Sequence, residues 1–394
     1  MAGKRIQGSQ MSHNPLSVWV VFGTRPEAIK MLPLVRAMKE DSRFDVTVCI
    51  TAQHREMLDQ VMRVFDVQAD IDLDVMRENQ SLPELSSRII TGLDFALKSA
   101  LRKPDYLLVH GDTATTLSAA MGAYFHQIPV GHVEAGLRTN NIYSPFPEEG
   151  NRKMTGAIST LHFAPTSKAE SALLKEGVSA DMISVTGNTV IDALKWVVEQ
   201  LEINPSLAGE VEEYISDIKK KYSRYILVTG HRRENHGDGF KRICKALRTI
   251  ASQNPDTAII YPVHPNPKVL KPVTDELGQL ENISLINPQE YAPFVSLMKS
   301  AYLILTDSGG VQEEAPSLGV PVLVMRDTTE REEAVEAGTV RLVGTDADKI
   351  INEATTLLND QIAYDAMAGK KNPYGDGQAC NRILSELIKH FSNQ

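Results

Sequence analysis

Three short loops of this 394-residue chain combine glycine with basic or hydroxyl side chains directly after an apolar run. They are 22–27 (FGTRPE), 229–234 (TGHRRE) and 306–314 (TDSGGVQEE). Free backbone N–H groups at a helix start, together with the helix dipole, favour a bound anion. Any one such loop is more typical of an ordinary strand-to-helix turn. Three of them in one chain predict a site for a nucleotide diphosphate.

Side chains in and near these loops strengthen that prediction. Arg25, Lys30 and His231 add groups that can bind phosphate. The first loop also has capping-box spacing between its threonine and glutamate, followed by a helix. The glycines after Ser308 let the backbone approach a phosphate closely, and Glu314, about one turn into the next helix, is a candidate acceptor for ribose hydroxyls.

Several titratable groups lie just beyond predicted strands or in a proline-rich loop, where an open parallel sheet places its chemistry. They are Asp112, Glu134, Glu148, Glu149 and His231. Clustered carboxyl groups acquire different pKa values, so that one can act as an acid while another acts as a base. We therefore predict acid–base catalysis at these positions.

Structural roles are open for the same carboxylates. Asp112 could cap the following helix, and Glu134 could form an ion pair with Arg138. Of the neighbours Glu148 and Glu149, we expect one to be merely solvent-exposed.

Apolar, β-branched runs alternate with helical patterns along the chain, which is typical of parallel strands joined by helices. The predicted strands are 18–23, 46–51, 106–110, 128–133, 225–230, 258–263, 283–286, 302–306 and 320–325. The strand signal lapses in a polar helical stretch at 188–222. The pattern predicts an α/β fold with two Rossmann-like, doubly wound domains of about five strands each, facing across a cleft.

We divide the chain accordingly. Residues 1–15 are expected to be a disordered extension or an expression remnant, and 16–195 an N-terminal Rossmann-like domain. Residues 196–378 are expected to form a C-terminal, nucleotide-binding domain. A last helix, about 379–392, is expected to pack on either half.

Composition excludes several classes of protein. A hydrophobic share of 42% and a charged share of 23% are those of a globular chain, and the net charge of −9 disfavours binding of a nucleic-acid polymer. Three scattered cysteines indicate a reducing compartment rather than a disulfide framework. Without a membrane-length apolar run or a signal-peptide segment, we expect a cytoplasmic protein that does not associate with membranes.

The absence of several motifs reduces the number of cofactors that the chain is expected to bind. The chain has no G-x-G-x-x-G after a strand and no G-x-x-x-x-G-K-[ST]. It also has no tyrosine with a lysine four residues later and no helical histidine pair that would bind zinc. We therefore expect a nucleotide-phosphate site that works without NAD or a metal.

Ten ordered segments resemble the non-hydrolysing bacterial UDP-N-acetylglucosamine 2-epimerases, which interconvert UDP-GlcNAc and UDP-ManNAc. The segments are VFGTRPEAIK, TAQHREMLDQV, VHGDTATTLSAA, IPVGHVEAGLRT, SPFPEEGNR, VTGNTVIDAL, VTGHRREN, YPVHPNP, LTDSGGVQEEAPSLG and PVLVMRDTTER. The resemblance runs from Val18 to Ala379. It implies the two-domain glycosyltransferase-B fold, a homodimer, no NAD or metal, and a product used for cell-surface polysaccharides.

The resemblance also implies residue roles. The implied diphosphate ligands are Arg25, Lys30, His231, Ser308, Gly309, Gly310 and Arg331. Gln289 and Phe294 would lie near the uracil, and Glu314 at the ribose. The implied catalytic carboxylates are Asp112, Glu134 and Glu148.

This chain departs from the family pattern at two positions. A proline usual in the family is replaced by Glu332, which is expected to free the loop carrying Arg331 and to add negative charge beside a phosphate ligand. Some relatives bind a second, activating UDP-GlcNAc near a Gln-His-Arg-Gln segment. Gln53 and His264 are the candidate contacts here, but the fourth residue of the segment is Glu56.

Two rival functions stay open. A UDP-sugar glycosyltransferase of the same fold would use the same phosphate loops, but it would not need several carboxylates around the sugar. A non-catalytic UDP-sugar sensor would need none of them.

Overall fold

Two parallel β-sheets frame the chain in the computed structural model, which describes residues 14–52, 55–235 and 237–392. The first sheet consists of β1 (Leu16–Phe22), β2 (Phe44–Ile50), β3 (Ile71–Asp72), β4 (Tyr106–His110), β5 (Val130–Val133), β6 (Leu161–Ala164) and β7 (Ile183–Val185). Its strand order is β3-β2-β1-β4-β5-β6-β7. The second sheet consists of β8 (Arg224–Thr229), β9 (Thr257–Pro262), β10 (Ile283–Ile286), β11 (Leu303–Thr306), β12 (Val322–Val324) and β13 (Val340–Leu342). Its strand order is β10-β9-β8-β11-β12-β13.

Helices connect these strands as crossovers. Those associated with the first sheet are α1 (Arg25–Lys39), α2 (Arg55–Val64), α3 (Leu82–Ser99), α4 (Ala114–Phe125), α5 (Glu148–Ile158), α6 (Ser167–Lys175) and α7 (Thr189–Ile203). The remaining helices are α8 (Glu210–Lys221), α9 (Asp238–Gln253), α10 (Pro267–Leu277), α11 (Tyr291–Ser300), α12 (Gly309–Glu314), α13 (Glu332–Glu336), α14 (Ala347–Asn359), α15 (Gln361–Ala368) and α16 (Ala379–Ser392). Short 3₁₀ turns lie at 180–182, 205–208, 233–235 and 315–318.

Both faces of the first sheet are covered, which explains why its central strand is apolar throughout. All seven residues of β1 are buried. Val18 and Val20 belong to one apolar cluster, whereas Trp19 and Val21 belong to a different one. Because side chains alternate along a strand, the two clusters lie on opposite faces of the sheet. Such a strand reads as a continuous apolar run in the sequence.

The structure confirms the predicted α/β class with two Rossmann-like halves, but the sheets have seven and six strands rather than five each. The unpredicted strands β3, β6, β7 and β13 have two to four residues each. Unlike β12, which lies within the apolar run 320–325, they are not part of a longer apolar run that would mark a strand in the sequence. The polar stretch 188–222 forms two helices separated by the turn at 205–208.

Helix α7 joins the two halves. It packs on α1 from the first half and on α11 and α12 from the second. The predicted domain boundary at 195/196 lies inside this helix, and as a division of the chain it stays a prediction. The last helix, α16, packs on α1 and α7 and therefore returns to the first half.

None of the helices in the described ranges is both long and apolar enough to cross a membrane.

Candidate active site

The loops after β1 and β4 are fastened together by one buried carboxylate. Glu27, only 1% exposed, accepts hydrogen bonds from the backbone N–H of Thr24 at 2.8 Å and from the hydroxyl of Thr113 at 2.7 Å. Thr24 caps α1 in return, so the predicted capping box is confirmed. Glu27 thereby fixes Arg25 of the first loop relative to Asp112 of the second.

A cavity of about 190 Å³ lies between the halves and brings together five of the predicted nucleotide ligands. They are Arg25, His231, Gln289, Phe294 and Ser308. His264, predicted as a contact of a second ligand, lines the same cavity, and its ring stacks on that of His231 at 5.5 Å. Gln53 lies outside the described residues.

Glu314 lies beside this cavity, buried against Tyr291. The Tyr291 hydroxyl donates to Glu314 Oε1 at 2.7 Å. Burial raises the pKa of Glu314 to about 7, although the hydrogen bond from Tyr291 opposes the shift. Burial also lowers the pKa of the nearby Arg25. The residue predicted to bind the ribose is therefore a carboxyl group held in an unfavourable place for a charge.

Four charged side chains of alternating sign link the halves. Lys30 bonds Glu134 of its own half, and its Nζ lies 3.4 Å from Oε2 of Glu313 in the other half. Arg331 in turn donates to Glu313 Oε1 from Nε at 2.9 Å and from Nη2 at 2.7 Å. We call Lys30, Glu134, Glu313 and Arg331 the ionic bridge.

Burial and charge oppose one another in the ionic bridge, and charge prevails. Burial alone would lower the pKa of Lys30, but Glu134 and Glu313 raise it above its ordinary value. Burial alone would raise the pKa of Glu134, but Lys30 and then His110 hold it well below its ordinary value. Lys30 is therefore an ammonium ion and Glu134 a carboxylate at neutral pH.

Glu134 is held in a strained, defined position. Its backbone lies in the left-handed region with φ of 61°, which is uncommon for a residue other than glycine. The side-chain amide of Asn188, at the start of α7, donates to its Oε2 at 2.7 Å. Arg138, the alternative partner of Glu134, pairs with Glu176 instead.

Asp112 is not the cap of α4, since Thr113 occupies that position. Its Oδ2 lies 2.6 Å from Arg152, which also bonds Glu149. The prediction that one of Glu148 and Glu149 is merely solvent-exposed is wrong. Glu149 is fully buried because it accepts two backbone N–H groups of the preceding loop, at 3.1 Å each. Glu148 is partly buried, and its Oε2 has no hydrogen-bond partner among the described residues.

The glycine-rich loop after β11 lies close to Arg331 of the ionic bridge and to Glu314. A Cβ atom on Gly309 would lie 3.1 Å from the guanidinium carbon of Arg331, and one on Gly310 would lie 3.7 Å from the Glu314 carboxylate. The absence of a side chain at Gly309 therefore leaves room for the guanidinium group of Arg331.

Glu332 does not act as its sequence position predicts. It is the first residue of α13. A proline, as is usual in the family, and an acidic residue are both favourable at the first position of a helix. The carboxylate of Glu332 pairs with Lys168 of the first half, which offsets the added negative charge. The loop that carries Arg331 is thus tied to the opposite half.

The sequence of this chain matches a known protein family. A family model described as UDP-N-acetylglucosamine 2-epimerase matches residues 36–388. The chain belongs to this family. The resemblance inferred from the ten segments is therefore confirmed.

Individual epimerases match over nearly their full length. A probable UDP-N-acetylglucosamine 2-epimerase of Ralstonia nicotianae is 58% identical, over 95% of this chain and 99% of the relative. The UDP-N-acetylglucosamine 2-epimerase of Escherichia coli K12 is 56% identical, over 94% and 98%. A crystal structure of the Neisseria meningitidis UDP-GlcNAc 2-epimerase bound to UDP-GlcNAc is 50% identical with a TM-score of 0.86, covering 95% of this chain and all of the other.

Sequence reasoning found Glu27 only as a capping-box residue, without its hydrogen bond from Thr113. It missed three residues of this epimerase-family site, which are Asn188, Asp307 and Glu313. Asp307 directly follows β11, so the rule that selected Asp112 would have found it. The others act through partners far away in the chain. Among the described residues, no group of three or more histidine, cysteine, aspartate or glutamate side chains is arranged to hold a metal ion.

The raised pKa of Glu314 predicts how the free energy of unfolding changes with pH. The carboxyl group has an ordinary value of 4.5 and a folded value of about 7. The folded chain therefore favours the neutral form, and burying the charge costs stability progressively as pH rises from 4.5 through 7. Glu314→Gln should raise the free energy of unfolding at pH 8 by on the order of 2–3 kcal/mol more than at pH 5.

Chemical denaturation at the two pH values measures this difference. Glu290→Gln, which removes an exposed carboxylate from the same region, should change neither value by more than about 0.5 kcal/mol. A Glu314→Gln variant that is equally affected at both pH values, or less stable at pH 8, would contradict the assignment.

Proposed function

We propose that this chain catalyses the reversible epimerisation of UDP-GlcNAc to UDP-ManNAc at C2 of the sugar, by a non-hydrolysing route. The observation that carries the proposal is the position of the ionic bridge beside the nucleotide cavity. Ser308 lines that cavity, and a Cβ atom on the next residue, Gly309, would lie 3.1 Å from the guanidinium carbon of Arg331 in the ionic bridge. Family membership and the UDP-GlcNAc-bound Neisseria relative support the choice of substrate.

In this proposal the diphosphate leaves C1 before, or together with, removal of the proton from C2 of the sugar. The proton on C2 is not adjacent to a carbonyl carbon, so direct removal by a carboxylate is too costly. Breaking the bond between C1 and the phosphate oxygen leaves an oxocarbenium-like sugar and acidifies that proton. A carboxylate then accepts it, which gives UDP and 2-acetamidoglucal. Re-addition of UDP to C1, with a proton delivered to the opposite face of C2, completes the epimerisation.

The cationic groups of the site suit the departure of UDP. Arg25 and Lys30 come from one half, and Ser308, Gly309 and Arg331 come from the other, so that a diphosphate between them would be bound by both. Preorganised donors of this kind typically contribute ~10²–10³ in rate each. In this proposal His231 is a further diphosphate ligand, Gln289 and Phe294 contact the uracil, and Glu314 accepts from the ribose.

The ionic bridge also relates leaving-group binding to base strength. Lys30 is the first of the groups that hold down the pKa of Glu134. A diphosphate that draws Lys30 toward itself weakens that interaction, so Glu134 becomes a stronger base when substrate is bound. Asp112 and Glu148 are the proposed partners of Glu134 in moving the proton.

The cofactor and location are part of the proposal. We propose chemistry that uses neither NAD nor a metal, in a cytoplasmic protein that binds neither membranes nor nucleic-acid polymers. The support is the missing motifs and the net charge of −9. Cys49, Cys244 and Cys380 are buried free thiols, which suits a reducing compartment.

We also propose that the chain forms a homodimer. Helices α3, α4 and α5 pack side by side in the first half. They expose large apolar side chains, with Phe95 at 74%, Phe125 at 62% and Met154 at 51%. An apolar helical surface of this kind is typical of an interface between subunits.

The catalytic prediction concerns Asp112. In an NMR time course in heavy water, the wild-type chain should convert UDP-GlcNAc alone into UDP-ManNAc with deuterium at C2. Asp112→Asn should keep its affinity for UDP but lose turnover by ~10²–10⁴, because a proton-transfer group is missing. Asp217→Asn, a change to an exposed carboxylate on α8, should behave as wild type.

Several outcomes of that experiment would contradict the proposal. Normal deuterium exchange at C2 by Asp112→Asn would remove Asp112 from the mechanism. Unchanged UDP-GlcNAc with the wild-type chain would favour a transferase or a sensor. Irreversible release of UDP and free ManNAc would indicate a hydrolysing enzyme.

The dimer proposal predicts the effect of Phe125→Asp. This change places a charge on the exposed face of α4, so the variant should sediment as a single 43.5 kDa chain, whereas the wild type should sediment at twice that mass. Ile362→Asp, at an 82% exposed position on α15, should remain dimeric. A wild-type monomer at micromolar concentration, or a dimeric Phe125→Asp variant, would contradict the proposed interface.

A further inference from the structure

The loop that carries His231 is anchored by a single buried carboxylate, Asp307, which is fully buried. Its Oδ2 accepts from the backbone N–H groups of His231 at 2.9 Å and Arg232 at 2.8 Å. The side-chain amide of Asn235 also donates to it, at 3.3 Å. These contacts explain how the loop is held, and they use only one of the two carboxylate oxygens.

The second oxygen has a different neighbour. Asp307 Oδ1 is buried and has no hydrogen-bond partner among the described residues. It lies 3.7 Å from Nδ1 of His231. Burying a carboxylate oxygen without a hydrogen-bond partner costs free energy, which indicates that Oδ1 gains a partner in another state of the protein. The His231 ring is half-exposed, and a small rotation would bring Nδ1 within hydrogen-bond distance of it.

We propose that Asp307 is a positioning residue that makes His231 take up a proton when the diphosphate binds. The imidazolium then donates Nδ1–H to Asp307 and Nε2–H to a phosphate oxygen of the leaving group. The proton comes from solvent on binding and returns to solvent when the nucleotide leaves. This inference rests on the proposed function, because it concerns the same diphosphate.

The charges around His231 fit such a change. Burial lowers the pKa of His231 from its ordinary value, Asp307 raises it, and His264 and Arg232 lower it further. Arg25, which lines the same cavity, adds another positive charge nearby. The balance leaves the ring neutral near pH 7.5 in the free protein. A diphosphate adds negative charge on the side opposite Asp307 and reverses that balance.

Calorimetry of UDP binding measures the proton directly. Titrating the full chain with UDP at pH 7.5 in two buffers of different ionisation enthalpy gives the number of protons taken up. The wild type should take up roughly half to one proton more than His231→Asn, since one side chain changes its charge. Any proton bound by the nucleotide itself appears in both proteins and cancels.

The variant Asp307→Asn distinguishes the roles of the two carboxylate oxygens of Asp307. The amide oxygen can still accept both backbone N–H groups, but an NH₂ group then faces Nδ1 of the ring. We expect proton uptake to fall to the level of His231→Asn and kcat to fall by ~10²–10³, with UDP affinity changed only a few-fold.

Tyr261→Phe is the matched control. The Tyr261 hydroxyl donates to the carbonyl of Gly230 at 2.9 Å, so its removal loosens the same loop and leaves the pair of Asp307 and His231 intact. This variant should keep the wild-type proton uptake. Its retention would show that a loosened loop alone does not abolish uptake.

The inference would be overturned by equal uptake of protons by wild type and His231→Asn, or by wild-type uptake in Asp307→Asn. If Asp307→Asn does not fold, ¹⁵N NMR of the UDP-bound wild type decides, and a neutral His231 ring would overturn the inference. Normal conversion of UDP-GlcNAc without proton uptake would overturn this inference alone. Failure to convert UDP-GlcNAc would overturn the proposed function, and failure to bind UDP would overturn both.

Discussion

A single buried ammonium group, Lys30, is shared by carboxylates from the two halves of the molecule. It bonds Glu134 in its own half and approaches Glu313 in the other. Removing one partner from a buried ion pair typically costs about 3–5 kcal/mol. The chain therefore holds these groups together until another charged group replaces one of them. In the proposed function a diphosphate is such a group, because it offers Lys30 the negative charge that Glu134 supplies in its absence.

The ionic bridge connects three properties that departure of a diphosphate from a sugar needs: contact between the halves, a base and a fixed cation. Lys30 of one half lies 3.4 Å from Glu313 of the other, and in the proposed function its release of Glu134 strengthens a base. In the same proposal Arg331, held by Glu313, is in place for the departing phosphate. The loops that bear these groups all follow parallel strands, which explains why one edge of each sheet carries the chemistry.

The sequence allowed the frame, and several side chains that line the cavity between the halves, to be predicted for physical reasons. Strands such as β1 are buried on both faces and read as continuous apolar runs, whereas β6 and β7 are short and do not lie within a longer apolar run. The loops that are predicted to bind a diphosphate were recognisable because glycine, caps and basic residues are local features. Glu313 was not, because its partner Lys30 lies in the other half and nothing near Glu313 in the sequence indicates it. The expectation that one of Glu148 and Glu149 is merely solvent-exposed was wrong, and the burial of Glu149 depends on backbone N–H groups of a folded loop, which the sequence does not indicate.

Cleavage of the bond between C1 and oxygen is the event that the ionic bridge is proposed to serve. Its most direct test uses UDP-GlcNAc labelled with ¹⁸O at the oxygen that joins C1 to the β-phosphate. The account predicts that during epimerisation the label spreads to the non-bridging oxygens of that phosphate, because freed UDP can rotate before it re-adds. Inversion at C2 with the label retained entirely in the bridging position would contradict it.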